Sequence, residues 1–423
     1  MVKEKGLYIL LTLLALAFFT RCSPLEVEIE SIESFDYAES KGVENVLKRA
    51  AQLAKIQWTP ISDIPNNVDV FQAGKTVVGI PYSSTKQINK YIGLDVSFHT
   101  FMTAVHNPYS VLYSENLSKA PYYGKNCSTY YGGVCSTCVE YALGITIPYT
   151  ADQLVKLPDF ELLEDQSISN LKPGDILHNP GHVLMVYKME YNKEGNISAI
   201  YLFESSGKLC KIYRQTQKGL ENRRGKDGLK FYRYKKINEV SEYVPSEYVS
   251  VGNELLATPE YNNALCPDRG DKSVYRTNEE VVINVFDLTF DSLIIEDSEG
   301  KQIKYDTNSI VNLGTLAAGE YKAFLTNRRV TSNPVSFVVA KPIVTVKNQG
   351  AHIIFFSCDM GKAKYCVLCG KDGSPYLFHP FTEADIVSGR VELEPLTNYN
   401  QYFCKVVFET PYGTVINQPL AVK

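Results

Sequence analysis

The chain has 423 residues, room for two to four domains of about 100–200 residues each. Apolar residues make up 44 %, so sizeable cores can form. With 43 Lys and Arg against 47 Asp and Glu the formal net charge is −4, and no Lys/Arg run stands out, which excludes a nucleic-acid partner.

The N-terminus predicts export. Lys3 and Lys5 precede an apolar run from Leu7 to Phe19, too short for a comfortable membrane span but right for the core of a signal peptide. Cys22 stands where bacterial lipoproteins carry their lipidated cysteine, with Arg21 in place of the usual small residue. The alternative is an ordinary secretory signal cleaved nearby. Both place the mature chain outside the cytoplasm, and the lipoprotein reading anchors it to the cell envelope by lipid alone. Export permits disulfides. Removing Cys22 from the ten cysteines leaves nine, so at least one has no partner within the chain.

Residues 42–56, GVENVLKRAAQLAKI, put Val43, Val46, Leu47, Ala50, Ala51 and Ala54 on one face of a helix. WTPISDIPNN breaks it, and KTVVGIPYSS reads as an extended stretch ending at Pro81-Tyr82. Residues 95–120 are mixed, with a short helix expected before Pro108. GGVCSTCVEYALG then predicts a second helix beginning near Cys135. Val139, Ala142 and Leu143 form its buried face, and Gly144 stops it. The following LKPGDILHNPGHVLMVYKMEYNKEGNISAIYLFESS reads as β-rich, with turns at Pro-Gly-Asp and Asn-Lys-Glu-Gly-Asn.

Beyond about residue 255 the pattern becomes short alternating runs with turns between them, the spacing of all-β sandwiches. Residues 343–423 repeat that pattern, and LEPLTNYNQYFCKVVFETPYG resembles the late strands of fibronectin type III modules. The expected organisation is therefore a signal at 1–22, a mixed domain at 23–255, and two immunoglobulin-like β-sandwiches at 256–341 and 342–423.

Cysteine placement carries the chemistry. Cys366 and Cys369 form a C-x-x-C on a strand running into a Lys-Asp-Gly turn, with Cys358 and Cys404 in the same unit. Buried thiols or a structural disulfide fit that context better than zinc. Cys135 differs, because it opens a helix. Unpaired backbone N–H groups and the positive end of the helix dipole stabilise a thiolate there. Cys138 lies one turn in, and Cys127, in GKNCSTYYGG, is the rival nucleophile. A Cys127–Cys138 bridge would also leave Cys135 free.

A nucleophilic thiolate needs a histidine to take and return a proton. Of the six histidines, His352 and His379 lie in the sandwiches and His99 and His106 upstream of the cysteines. His178 is expected on a solvated turn. His182 opens the apolar strand Val183–Met189, which would hold its ring against a packed sheet. A hairpin turning near Lys193 brings residue 204 roughly opposite 182, which nominates Glu204 to orient the imidazole. A slip of one residue would turn it to the other face.

These residues resemble the NlpC-type cell-wall cysteine peptidases, which are papain-like. In that family a nucleophilic Cys-Ser opens a helix, a Pro-Gly-Asp turn follows, and a His opens a strand of the form His-Val-x-x-x-Tyr. The matching positions are Cys135-Ser136, Pro173-Gly174-Asp175 and His182-Val183. A Gly-x-Pro-Tyr stretch also places a tyrosine near the nucleophile, matched by Gly79-Ile80-Pro81-Tyr82. The resemblance covers roughly residues 75–210. Val134 stands where the family has Asp, and Thr137 where it has Gly. The resemblance implies a papain-like α+β core with Cys135 and His182 catalytic and with Tyr82 and Ser136 binding substrate. The family's third group is usually a His, Asn or Gln closer to the strand histidine, so Glu204 as the third catalytic residue rests on the hairpin and on analogy with amidase relatives. It implies hydrolysis of peptidoglycan stem peptides or muropeptides, typically at γ-D-glutamyl linkages to a diamino acid, with no metal or other cofactor.

Two rivals come from other classes. The string GGVCSTCVEYALGITIP is also similar to the cysteine helix of transglutaminase-like enzymes, though Val183 follows the histidine where those have an aromatic. An inactive papain-like scaffold, its sandwiches holding a surface glycan or protein, is the other. Nothing in the sequence names a sandwich ligand.

Overall fold

The computed structural model describes residues 40–66, 69–83, 98–112, 131–242, 262–371 and 373–422. The expected signal segment with Cys22, and Cys127, lie outside them. The described chain is mostly β-sheet, 44 % strand, with few helices.

Helix α1 (Lys41–Lys55) forms on the predicted residues, and burial extends beyond the expected face to Asn45, Gln52 and Leu53. Its breadth of burial has a simple cause: α1 packs against three partners, the cysteine helix, an edge strand of the main sheet and the 3-10 turn Ile237–Glu239. Two-residue ladders at Gln57–Trp58 and Val77–Val78 pair with each other. They frame Trp58, whose indole N–H donates to the Gly79 carbonyl at 2.9 Å. Helix α2 (Phe98–Val105) ends before Pro108, as its sequence requires. Helix α3 (Cys135–Ala142) begins at Cys135, followed by the short α4 (Ala151–Leu154) closed by a Thr150–Gln153 capping box.

Strands β1 (Phe160–Leu162), β2 (Ile176–Asn179), β3 (His182–Tyr191), β4 (Ile197–Ser206) and β5 (Leu209–Gln215) lead to helix α5 (Gln217–Asp227) and strand β6 (Lys230–Tyr234). They form one antiparallel sheet in the order β1-β6-β2-β3-β4-β5. Strand alternation divides its core. Val183, Met185 and Phe203 join Val139 and Ala142 of α3 in one cluster. Leu184, Val186, Ile200 and Leu202 join Leu220 of α5 in another.

Helix α5 lies on QKGLENRRGKD, a stretch without apolar periodicity whose single buried residue is Leu220. Its ends, not its face, define it. The Thr216 hydroxyl accepts from the Gly219 N–H at 3.1 Å, and Gly228 at φ +67° closes the C-terminus.

The remaining chain forms two packed β units. In the first, Leu265–Pro267, Glu280–Val285 and Ile310–Thr315 form one sheet facing a second built on Ser292–Asp297 and Gly319–Thr326. Leu293, Ile295, Leu325 and Phe337 fill the space between. In the second unit, Ile354, Phe356, Cys404, Val406 and Phe408 make the core. The strand Val335–Asn348 runs through both units, with Pro342 in its middle, and spans the boundary expected at 341/342.

Both units grip the mixed domain. The Asn107 amide donates to the Pro267 carbonyl at 3.1 Å and to Asn284 Oδ1 at 2.8 Å. The Tyr131 hydroxyl donates to the Arg269 carbonyl at 2.6 Å, and Tyr149 packs edge-on against Phe378 of the second unit. Tyr131 lies four residues before Cys135, so the first β unit anchors the backbone that leads into α3.

Candidate active site

Three backbone devices place Cys135. The Gly133 N–H donates to the Pro81 carbonyl at 3.1 Å, and the Ser205 hydroxyl of β4 donates to the Gly133 carbonyl at 2.9 Å. Tyr82 pairs with Gly133 as a parallel bridge, and its N–H donates to the Lys208 carbonyl. The segment before α3 is thus clamped between the Pro81-Tyr82 stretch and the β4–β5 hairpin. Val134 occupies the N-cap with extended φ and ψ, and its side chain makes no cap. The Val134 carbonyl accepts from the Cys138 N–H at 3.1 Å, but its side chain offers no acceptor to the N–H groups of Cys135, Ser136 and Thr137.

Gly79 is required by this arrangement. Its φ is +92°, and a Cβ built there would meet the Cys210 carbonyl oxygen at 2.1 Å. Gly79→Ala is expected to lower unfolding free energy by about 3 kcal/mol, from left-handed backbone strain plus displacement of β5. Urea unfolding checks this, and an unchanged midpoint contradicts it.

The Cys135 thiol stands beside the His182 imidazole, whose basicity it raises. It also lies 4.0 Å from the Gly181 carbonyl. On the other side of the ring, His182 Nε2 lies 2.7 Å from Glu204 Oε1, which leaves Nδ1 as the nitrogen for the sulfur. Burial alone would lower the basicity of His182. The hydrogen bonds and negative charge of Cys135 and Glu204 outweigh it and raise the ring to about 9.

Glu204 is buried. The β3–β4 ladder pairs Met185 with Phe203, so in continued register Glu204 falls opposite Leu184, two positions from the expected opposition to His182. The turn is centred on Glu194 rather than Lys193, since Tyr191 pairs with Ile197 and the Asn192 N–H donates to the Asn196 carbonyl, and this moves the opposition by two. The bulges at Val186/Lys188 and Glu190/Tyr191 cancel each other. A two-residue offset keeps the face, and a diagonal neighbour is within reach of a long side chain.

Two residues that sequence reasoning did not single out complete the site. The Tyr213 hydroxyl of β5 donates to Glu204 Oε2 at 2.5 Å. Arg223 of α5 donates through Nη2 to Oε1 at 2.9 Å and through Nη1 to Oε2 at 3.2 Å, a bidentate fork. Burial pushes the Glu204 carboxyl up, but hydrogen bonds from His182, Arg223 and Tyr213 hold it far below the usual carboxylate range. Arg223 and Tyr213 each rise from their ordinary values, Arg223 chiefly through its bond to Glu204 and Tyr213 through burial. Thiol, imidazole, carboxylate and guanidinium thus form one chain of alternating partners. The signal for Arg223 lay in the Thr216 and Gly228 helix ends, which make KGLENRR a helix beside β4.

His178 corrects the expectation of a solvated turn. It lies on β2, buried, with Nε2 2.9 Å from Asp152 Oδ1. The same oxygen accepts the Gly181 N–H at 3.1 Å. The pair braces the Asn179–Gly181 turn that carries His182, a tertiary role no local pattern could reveal.

Tyr82 is partly buried, and burial followed by the charges of Cys135 and Cys138 raises its hydroxyl, which places it beside the nucleophile helix. Ser136 follows Cys135 but is 1 % exposed, so its side chain is withdrawn from the cleft surface and only its backbone N–H can serve a ligand there. Among the other histidines, His99 pairs with Asp271 at 2.6 Å and His352 contacts Asn348 and Tyr402. Cys366 and Cys369 are buried thiols on a strand, and Cys366 is hydrogen-bonded to Cys404. Among the described residues no group of three His, Cys, Asp or Glu is placed to hold a metal ion. A concavity of ≈ 630 Å³ opens on the second β unit between Phe355, Ile386, Val387 and Phe408, and its lining holds no histidine or carboxylate.

No family model and no curated protein matches the sequence. Among solved structures, the CD2-binding domain of CD58 (lymphocyte function-associated antigen 3) is similar over 36 % of this chain and 95 % of its own, at 7 % identity and a TM-score of 0.21.

Proposed function

We propose that the chain is an exported cysteine peptidase or amidase with a papain-like α+β core, lipid-anchored through Cys22, that hydrolyses peptide bonds in peptidoglycan stem peptides. One observation carries the reading: the Cys135 sulfur, the His182 ring and the Glu204 carboxylate, distant in sequence, meet in line. The resemblance of Cys135-Ser136, Pro173-Gly174-Asp175 and His182-Val183 to the NlpC-type pattern supports the substrate class. Among the described residues no helix is long and apolar enough to cross a membrane.

In this mechanism the Cys135 thiolate attacks the scissile carbonyl, and the C–N bond breaks as the His182 imidazolium gives its proton to the leaving amine. Water, deprotonated by His182, then releases the acyl group and restores the thiol. Glu204, fixed by Arg223 and Tyr213, keeps the ring aligned and its positive form stabilised. First-turn N–H groups of α3 and the Tyr82 hydroxyl would receive the oxyanion, a contribution of about 3 kcal/mol per donor.

Purified sacculi incubated with the protein test the substrate class. Soluble peptides bearing a new free amine on the diamino acid are the expected products by mass spectrometry. Sacculi that release no peptide, beside a thiol that still reacts with a cysteine-directed peptide probe, would redirect the reading to another amide.

A further inference from the structure

The proposed chemistry uses one cysteine of the C-x-x-C at 135–138 and leaves the other unexplained. Cys138 is 1 % exposed and Cys210, on β5, is fully buried. Both belong to the core cluster that joins α3 to the sheet, where Cys138 is the neighbour that, after burial, raises the Cys210 thiol. Their surroundings converge on Gly133. A Cβ at Gly133 would lie 2.8 Å from Cys138 Sγ, so the glycine leaves the sulfur its space. Cys210 pairs across the ladder with Ser205, whose hydroxyl holds the Gly133 carbonyl, and the Cys210 N–H donates to the Ile80 carbonyl at 2.9 Å. Helix α3 and strand β5 are thus already in register around these two sulfurs.

A C-x-x-C at a helix start is also the arrangement in which neighbouring thiols close on each other. Closure of Cys135 onto Cys138 would consume the proposed nucleophile. A thiol one turn in that is already paired elsewhere removes that hazard.

We propose that Cys138 and Cys210 form a disulfide that ties the nucleophile helix to β5 and keeps Cys135 a free thiol. The inference rests on the reading of the chain as an exported thiol enzyme. With oxidised glutathione as oxidant, two protein thiols and one glutathione disulfide become one protein disulfide and two glutathione thiols. The two electrons and two protons pass to glutathione, and the bond forms through a mixed disulfide.

Thiol mapping of the purified full-length chain tests this without any substrate, so it stands apart from the hydrolase reading. After the reduced, unfolded chain is refolded in oxidised glutathione, so that the thiols react before they are buried, denaturation, blocking with N-ethylmaleimide and digestion are expected to give a peptide linking Cys138 to Cys210, with Cys135 carrying the maleimide. Maleimide on both Cys138 and Cys210, or a Cys135–Cys138 link, overturns the proposal. In Cys210→Ala the same treatment is expected to link Cys135 to Cys138, cutting iodoacetamide labelling of Cys135 at least tenfold until dithiothreitol restores it. Cys138→Ala, which disturbs β5 less, is expected to label at the parental rate with or without oxidant. Equal oxidant sensitivity in Cys138→Ala and Cys210→Ala also overturns it.

Discussion

Cys135→Ala is expected to reduce hydrolysis of purified sacculi to the uncatalysed background, with the fold intact. The substitution removes one sulfur from a helix start whose position is set by Gly133, Ser205 and Tyr82 rather than by the thiol itself. Loss of a nucleophile that acts as a unit with its base removes nearly all covalent catalysis, on the order of 10⁶-fold in rate. Cys127→Ala is expected to keep the parental rate. The reverse pattern, activity retained without Cys135 and lost without Cys127, would move the nucleophile. Circular dichroism of both variants separates chemistry from unfolding.

Glu204→Gln is expected to lower kcat/KM by on the order of 10²–10⁴-fold and to move its alkaline limb to lower pH. The isosteric amide keeps a group beside the ring but removes the negative charge that supports the imidazolium. The leaving amine needs that proton, so the parental rate should hold as pH rises and fall through about pH 9, where His182 titrates. Without the carboxylate that fall comes nearer the ordinary histidine value. The stability sign follows the same linkage. A His182 raised from 6.5 to about 9 stabilises the fold fully below pH 6.5, and that contribution, at most about 3 kcal/mol, is lost as pH rises through 9. Glu204, depressed, contributes above the ordinary glutamate range, and its contribution is lost as pH falls through its folded value. The variant should therefore show a flatter stability profile between pH 6 and 9. A pH–rate limb that stays at about 9 would show that Glu204 does not act through His182.

Much of this arrangement was legible because local signals and tertiary packing agree. The apolar face of α1, the glycines before Cys135 and the Asn-Lys-Glu-Gly-Asn turn each correspond to an element. Glu204 keeps the expected face because the turn is centred one residue later than Lys193, an offset of two across the ladder, and the two bulges cancel. What was not legible depends on partners far along the chain. Arg223 lies on a helix with almost no buried face, held by its caps. His178 is buried because Asp152, 26 residues earlier, meets it. The strand Val335–Asn348 continues through Pro342, where sequence punctuation suggests an ending, because each half pairs in a different sheet.

The central claim is that the Cys135 sulfur and the His182 imidazole act as one reactive pair. The rate of Cys135 carbamidomethylation by iodoacetamide at pH 6, read by peptide mapping in the parental chain and in His182→Ala, tests it without a substrate. The account predicts ready modification in the parental chain and a rate at least about tenfold lower in the variant. Equal rates in the two proteins would contradict it.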